Sequence, residues 1–225
     1  MAAAYARVTT GNVCNAAYER PALRAALGDV EELAVLDAGC AAGENAAWLV
    51  EHGAHVVALD ASAAMIDLAR ARLGAAAQLV RADLEQRLPF GDRSFDLVVS
   101  SLTLHYVRDW APVLREFARV LRRPGWLVLT THHPLLTADQ VDDYFGVTLV
   151  REQWTDFGAQ PVPVQFYHRP LQRITDDLHG AGFRIRRLEE IRPTADAAAR
   201  NPQLAARLRT RPGFLLVDAV PSADR

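Results

Sequence analysis

The sequence predicts an α/β fold built on an open sheet of buried strands, and three observations predict it. Short apolar runs recur along the chain without polar alternation, as in strands covered on both faces. Amphipathic stretches of helical period lie between successive runs, so each helix can return the chain for another parallel strand through a right-handed crossover. The first run ends in "VLDAGCAAGENAAWLV" (35–50), where small residues and two glycines separate a strand from a helix.

In order, the expected strands are 33–38, 55–59, 77–82, 95–101 and 126–133, with helices at 43–52, 62–73 and 111–122 between them. Ser62 suits the N-cap of the second of these helices. A long insert, 135–168, follows the fifth strand. It holds possible strands at 146–151 and 162–167, which a turn near Gly158 could pair into a hairpin. Long connections at such an edge often serve as lids or binding elements. Beyond it come a helix at 169–182, a strand at 183–191, a partly helical stretch at 197–209 limited by Pro202, and a last strand at 213–220. A single domain over 1–225 fits this length.

Composition narrows the function. The 225 residues are 50% hydrophobic and 23% charged, with a net charge of −2. That leaves no electrostatic footprint for nucleic acid or an anionic membrane. No apolar run reaches membrane-spanning length, and the first residues lack the pattern of a signal peptide, so a cytoplasmic location is expected. Cys14 and Cys40 are too few for a disulfide scaffold or a zinc cluster. All 25 basic residues are arginine, which excludes lysine as Schiff-base nucleophile or general base.

Open α/β sheets bind ligands beyond the C-terminal ends of their strands. Gly39 and Gly43 supply the bulk-free turn that a close backbone approach needs, and the following helix aims its free N–H groups at the ligand. A dinucleotide fingerprint would be "GxGxxG". Here the window reads "GCAAGE", with Ala41 and Glu44 in two glycine positions. Carboxylates at 44 and at Asp37 would repel a pyrophosphate, which counts against a nicotinamide-dependent dehydrogenase. They would favour a ligand bearing ammonium and sulfonium charge.

"VLDAGCAAGE" resembles motif I of the class I S-adenosylmethionine-dependent methyltransferases, usually written around "DxGxGxG". "VVALDAS" with Met65, "VRADLEQRLPF", "SFDLVVSSLTLHYV" and "VLRRPGWLVLTTHHP" resemble that family's later segments in the same order and spacing, over residues 35–134. The resemblance implies a doubly wound, Rossmann-like sheet of seven strands in the order 3-2-1-4-5-7-6, closed by the strands at 183–191 and 213–220. It implies S-adenosyl-L-methionine as cofactor and S-adenosyl-L-homocysteine as product. Asp37, Gly39, Cys40 and Gly43 would then form the cofactor loop. Asp60 would hold the ribose hydroxyls, with a helix N-cap as the plainer reading. Ala61 and Met65 would lie against the adenine, although Met65 serves equally well in packing. Asp83 would meet the adenine amino group, beside the Leu84 N–H, or else be a solvated loop acid. Ser100, in the fourth-strand segment, would also belong to the cofactor site. The stretch 1–30 resembles the helical lead-in of small methyltransferases, in which a tyrosine closes over the methionine end. Tyr18, or less readily Tyr5, could do this, or both could anchor a helix. The departure is Ala41, disfavoured if its φ is positive and nearly free of cost if negative; tolerance is expected.

Methyl transfer chiefly needs positioning and exclusion of water, and a weakly acidic acceptor also needs a base. His105 and His133 are the catalytic candidates, from a set that includes His132 and His168. No metal is expected, because His132 and His133 are adjacent on a strand and point to opposite faces, with only Asp142 and Asp143 as possible further ligands. Tyr144, Phe145, Trp154, Phe166 and Tyr167 suit either a lid or a core. The acceptor expected is a small molecule methylated at oxygen or nitrogen, in the manner of bacterial specialised metabolism, and the protein a monomer or homodimer. Two other readings stay open: a cofactor-binding enzyme of different chemistry such as cyclisation, and a non-catalytic binding protein on the same scaffold.

Overall fold

At the centre of the molecule lies β1 (Ala34–Ala38), hydrogen-bonded in parallel to β2 (His55–Asp60) on one side and to β4 (Phe95–Ser101) on the other. β3 (Gln78–Arg81) extends the sheet beyond β2, and β5 (Leu121–His132) extends it beyond β4. Two late strands, β8 (Phe183–Glu190) and β9 (Phe214–Pro221), close it, with β9 antiparallel to both β5 and β8. The order is β3-β2-β1-β4-β5-β9-β8. Counted along this sheet alone it is the expected 3-2-1-4-5-7-6, because β6 (Thr148–Trp154) and β7 (Val162–His168) pair only with each other. The computed structural model describes residues 2–155 and 161–222, with side chains from residue 6 onward.

Alternation along the central strands fills both faces, which is why they read as continuous apolar runs. Leu36, Leu59, Val98 and Leu127 meet one layer of helices, α5 (Trp110–Val120) and α6 (Leu171–Gly180). Val35, Val56, Leu97, Val99 and Val128 meet the other, made by α2 (Arg20–Leu27), α3 (Glu44–Glu51), α4 (Ala63–Leu73) and Leu208 of α8 (Pro202–Thr210). Burial of side chains such as Leu114 and Phe117 stabilises by about 1.5–3 kcal/mol each. α5 begins where the Asp109 carboxylate accepts from the Ala111 N–H at 3.1 Å. Trp110 is fixed by donation from its indole to the Leu104 carbonyl at 2.7 Å.

Several boundaries differ from the sequence reading. β5 starts at Leu121, five residues before the expected 126, because Leu121 pairs with Phe95 across a register shift. Pro202 opens α8 rather than weakening one long helix. Its missing N–H costs nothing at that first position, and Asn201 caps the helix by accepting from the Leu204 N–H at 3.0 Å. A separate short helix, α7 (Ala195–Arg200), precedes it. The insert does hold a hairpin, with Val150 opposite Phe166 and both buried. Its expected turn at Gly158 falls outside the described residues. Ahead of the sheet, α1 (Ala2–Gly11) leads into a π-helical segment, Cys14–Glu19, and then α2. No helix among the described residues is long and apolar enough to cross a membrane.

Candidate functional site

A cavity of about 410 Å³ opens beyond the C-terminal ends of β1, β2 and β4. Its floor is the turn after β1. The N–H groups of Gly39 and Cys40 both donate to the Leu59 carbonyl, at 2.8 and 2.9 Å, folding the turn onto the end of β2. The Ala41 N–H donates to Asp60 Oδ2 at 2.9 Å, while Asp60 Oδ1 accepts from the Ser62 N–H at 2.8 Å. Each carboxylate oxygen of Asp60 keeps a further lone pair.

Gly39 has φ +88°, and a Cβ there would lie 2.3 Å from the Thr103 side chain. Gly43, at φ +79°, starts α3 and, unlike the sequence expectation, lies off the cavity wall, where a Cβ would meet Leu73 and Ala69 of α4. Ala41 has φ +47°, so the alanine stands in the left-handed region that glycine favours. The loop accommodates it, and its amide is used.

Among the sequence-predicted residues, Asp37, Gly39, Cys40, Asp60, Ala61, Met65, Asp83 and Leu84 all line this cavity. Asp37 is 1% exposed, and neither of its oxygens has a hydrogen-bond partner. Burial, with the Asp60 charge behind it, pushes its carboxyl up to about 7. Burial also raises the Cys40 thiol, helped by the charges of Asp37 and Asp60. Asp83 Oδ1 accepts from the Glu85 N–H at 2.9 Å, which fixes the loop after β3. Glu44 does not stand as the bare charge that the sequence suggested. Its carboxylate pairs with Arg72, accepts from Thr10 Oγ1 at 2.7 Å and lies 3.9 Å from Arg20. The repulsion of a pyrophosphate therefore rests chiefly on Asp60.

Other predicted residues lie elsewhere. Tyr18 is 1% exposed and outside the cavity wall. Its hydroxyl donates to the Ile191 carbonyl at 2.9 Å and accepts from the Gly213 N–H at 3.0 Å, and its ring stacks on Phe214. This is the anchoring alternative, reached because the π-helical segment that carries Tyr18 turns its buried face to the chain on either side of β9. Tyr5 falls outside the residues whose side chains are described. Ser100 points away from the cavity and donates to the Ala38 carbonyl at 3.0 Å, tying β4 to β1; the next residue, Ser101, is the one on the wall.

His132 and His133 diverge as adjacent strand residues do. His133 caps the turn Pro134–Leu136, its Nδ1 accepting from the Leu135 N–H at 3.1 Å, and its Nε2 faces Glu190 Oε1 at 3.0 Å. His132 stacks on His105 at 3.8 Å between ring centroids, with Phe166 of the hairpin set edge-on to both. His105 is 4% exposed, and neither ring nitrogen has a partner. Burial holds it well below the usual imidazole range, with His132 adding to the effect; burial alone lowers His132 to about 4. His168 is spanned by Thr137 Oγ1 at 2.7 Å and the Tyr144 carbonyl at 2.8 Å. Among the described residues no group of three or more metal-ligating side chains is gathered. Of the insert's aromatics, Phe166 is core while Phe145 is 81% exposed.

Sequence reasoning missed the wall opposite the sheet. Thr9, Asn15 and Arg20 line the cavity from the lead-in, and none of the described insert residues does. It also missed Glu19, fully buried at the end of the π-helical segment, which accepts from Ser101 Oγ at 2.8 Å and Thr130 Oγ1 at 2.6 Å. Burial raises its carboxyl, against the pull of those two hydroxyls. The only signal in the sequence was a charged pair, Glu19 and Arg20, inside an otherwise apolar helical stretch.

A family model described as "Methyltransferase domain" matches residues 36–129. The S-adenosylmethionine dependent methyltransferase from Mesorhizobium loti is 31% identical, with a TM-score of 0.74 over 94% of this chain and 99% of that one. The DhpI-SAM-HEP complex shares the fold, with a TM-score of 0.70 at 21% identity over 98% of this chain and 92% of that one. Among curated proteins, malonyl-[acyl-carrier protein] O-methyltransferase of Pseudescherichia vulneris is 36% identical over 134 residues, 58% of this chain and 53% of that protein. The chain spans about half the length of the first curated relatives it matches.

Proposed function

Because the chain belongs to the S-adenosylmethionine-dependent methyltransferases, we propose that it transfers a methyl group to an oxygen or nitrogen of a small-molecule acceptor. One observation carries this reading. The cavity at the strand ends presents an unpartnered, buried Asp37 and an Asp60 with lone pairs to spare. That donor and acceptor set fits a cationic ligand with vicinal hydroxyls and does not fit a pyrophosphate.

When bound, the cofactor supplies an activated methyl group on a sulfonium. The chain's own residues do the rest. Asp60, which already holds the Ala41 and Ser62 amides, would accept from the ribose hydroxyls with its other lone pairs. Asp83 and the Leu84 amide would hold the adenine, with Ala61 and Met65 against it. Gly39 and Cys40 let the backbone approach closely. Leu102 and Val107 exclude water from the acceptor end. His133 is committed to the Leu135 amide and Glu190, so its role is anchoring. His105 lies one residue before Tyr106, which is on the wall, and it shapes that wall together with His132. The hairpin β6–β7 packs on the turn Leu104–Tyr106 and serves as a cover for the acceptor side. The near-neutral charge supports a small acceptor in preference to nucleic acid.

Calorimetric titration with S-adenosylmethionine and S-adenosylhomocysteine tests the reading, followed by an acceptor screen that follows homocysteine-product release. Micromolar binding of either ligand is expected. Folded protein that binds neither would overturn it.

A further inference from the structure

Among the described side chains that line the cavity, Asp37 is the one left with both of its polar atoms buried and unpartnered, while Asn45 leaves only its Oδ1 so. Asp37 is 99% buried, its two oxygens lack any hydrogen-bond partner, and it faces the cavity. A carboxylate left so is among the costliest arrangements in a protein interior. Its neighbours make matters worse. Asp60 faces it from the end of β2 and Glu19 from the π-helical segment, both acidic. From its own loop comes the Cys40 thiol. α3 offers the Ala46 amide, which favours the charged form although it falls short of hydrogen-bond geometry, together with Asn45 and with Glu44, which is already paired with Arg72. Of the nearby arginines, Arg20 donates to the Thr9 and Thr10 carbonyls, and Arg24, its Nε unpartnered, reaches the Glu44 carbonyl at 3.5 Å. From β4, Ser101 and the following Thr103 bring hydroxyls that are donated to Glu19 and to the Gly39 and Ser101 carbonyls.

We infer that Asp37 is a proton-exchanging discriminator between donor and product: it releases its proton to solvent when a sulfonium ligand fills the cavity, and largely retains it when the thioether product does. The inference rests on the cofactor reading above. The carboxyl O–H bond breaks, its electron pair stays on Asp37, and the proton leaves to the buffer. The positive charge of the ligand takes over the role that no protein group fills. S-adenosylmethionine and S-adenosylhomocysteine differ by that one charge, so the carboxylate form favours the first over the second. The burial that holds the Asp37 carboxyl up to about 7 leaves a proton on it to be released near neutrality. Product, bound more weakly at the ionised site, is then displaced by fresh donor more readily as pH rises.

The test is calorimetry of the wild-type protein at pH 6 in phosphate and in bis-Tris, which differ in ionisation enthalpy. At that pH the amino groups of both ligands remain protonated. The apparent enthalpy of S-adenosylmethionine binding is expected to differ between buffers by nearly one proton's worth, and that of S-adenosylhomocysteine by less than half as much. Between pH 5.5 and 7.5 the preference for S-adenosylmethionine should grow roughly tenfold. Asp37→Asn keeps the shape and removes the proton, so both effects should vanish in it. The wild-type measurement stands alone should that variant fail to fold. Binding with buffer-independent enthalpy and a preference flat in pH would overturn the inference and leave the cofactor reading intact. Absence of binding by either ligand at every pH would overturn both.

Discussion

The Ala41 amide donates to Asp60 Oδ2 at 2.9 Å, so the turn after β1 is held by the side chain that ends β2. One carboxylate thus organises the turn after β1 and presents its remaining lone pairs to the cavity.

Asp60→Ala should therefore do two things. Loss of the acceptor for the Ala41 and Ser62 amides should cost about 1–2 kcal/mol of stability, since part-exposed amides can turn to water. Affinity for S-adenosylmethionine should fall on the order of a hundredfold, through loss of charge-assisted bonds to the hydroxyls. Calorimetry beside thermal melting separates the two, and unchanged affinity would remove Asp60 from the ribose site.

Ala41→Gly should stabilise the protein. At φ +47° the methyl costs roughly 1 kcal/mol, offset in part by the greater freedom of glycine in the unfolded chain. A rise of up to about 1 kcal/mol in urea unfolding is expected, with cofactor affinity held or improved. A loss of stability would mean the strain is relieved elsewhere.

Tyr18→Phe strands the Ile191 carbonyl and the Gly213 amide in the core. A loss of about 2–4 kcal/mol is expected, read from chemical denaturation, with cofactor affinity unchanged. Weaker cofactor binding at undiminished stability would instead return Tyr18 to the role its sequence context suggested.

The free protein's stability should depend on pH in two opposed ways. His105 and His132 are neutral in the fold, with pKa values pushed below the ordinary 6.5, to about 4 for His132. The unfolded chain binds protons that the fold refuses, so their contribution is complete above about 6.5 and is lost as pH falls toward 4. Asp37 has the reverse sign. The fold prefers its protonated form, so stability is lost as pH rises from 3.8 to about 7, by on the order of 4 kcal/mol. In urea titrations from pH 4.5 to 8, His132→Phe should flatten the acid-side decline and Asp37→Asn the loss toward neutrality. Parallel curves for all three proteins would contradict both assignments.

What could be read from the sequence was whatever short-range pattern fixes. Central strands such as 55–59 and 95–101 were visible because both their faces are buried. Gly39, Gly43 and Asp60 were visible because a turn at a strand end admits few residue types. The sign of φ at Ala41 was not legible, since it depends on the Asp60 carboxylate nineteen residues away. Tyr18 and His133 were misplaced because their partners, Gly213 just before β9 and Glu190 at the end of β8, come from the part of the chain that joins the sheet last. Ser100 was one residue off, and in a strand that reverses the direction of the side chain. The wall formed by Thr9, Asn15 and Arg20 follows from where the lead-in packs, which no local spacing encodes.

That wall has a kinetic meaning. The side of the cavity facing the sheet is rigid, but the facing side is a helical segment fastened by a few polar ties, Thr10 to Glu44 and Arg20 to the carbonyls of Thr9 and Thr10. Such peripheral segments open locally far more often than a central sheet unfolds. The residence time of a ligand should therefore follow the opening of α1, ahead of the buried residues Tyr18 and Glu19. Thr10→Val should shorten that stay while leaving the melting temperature of the domain almost unmoved.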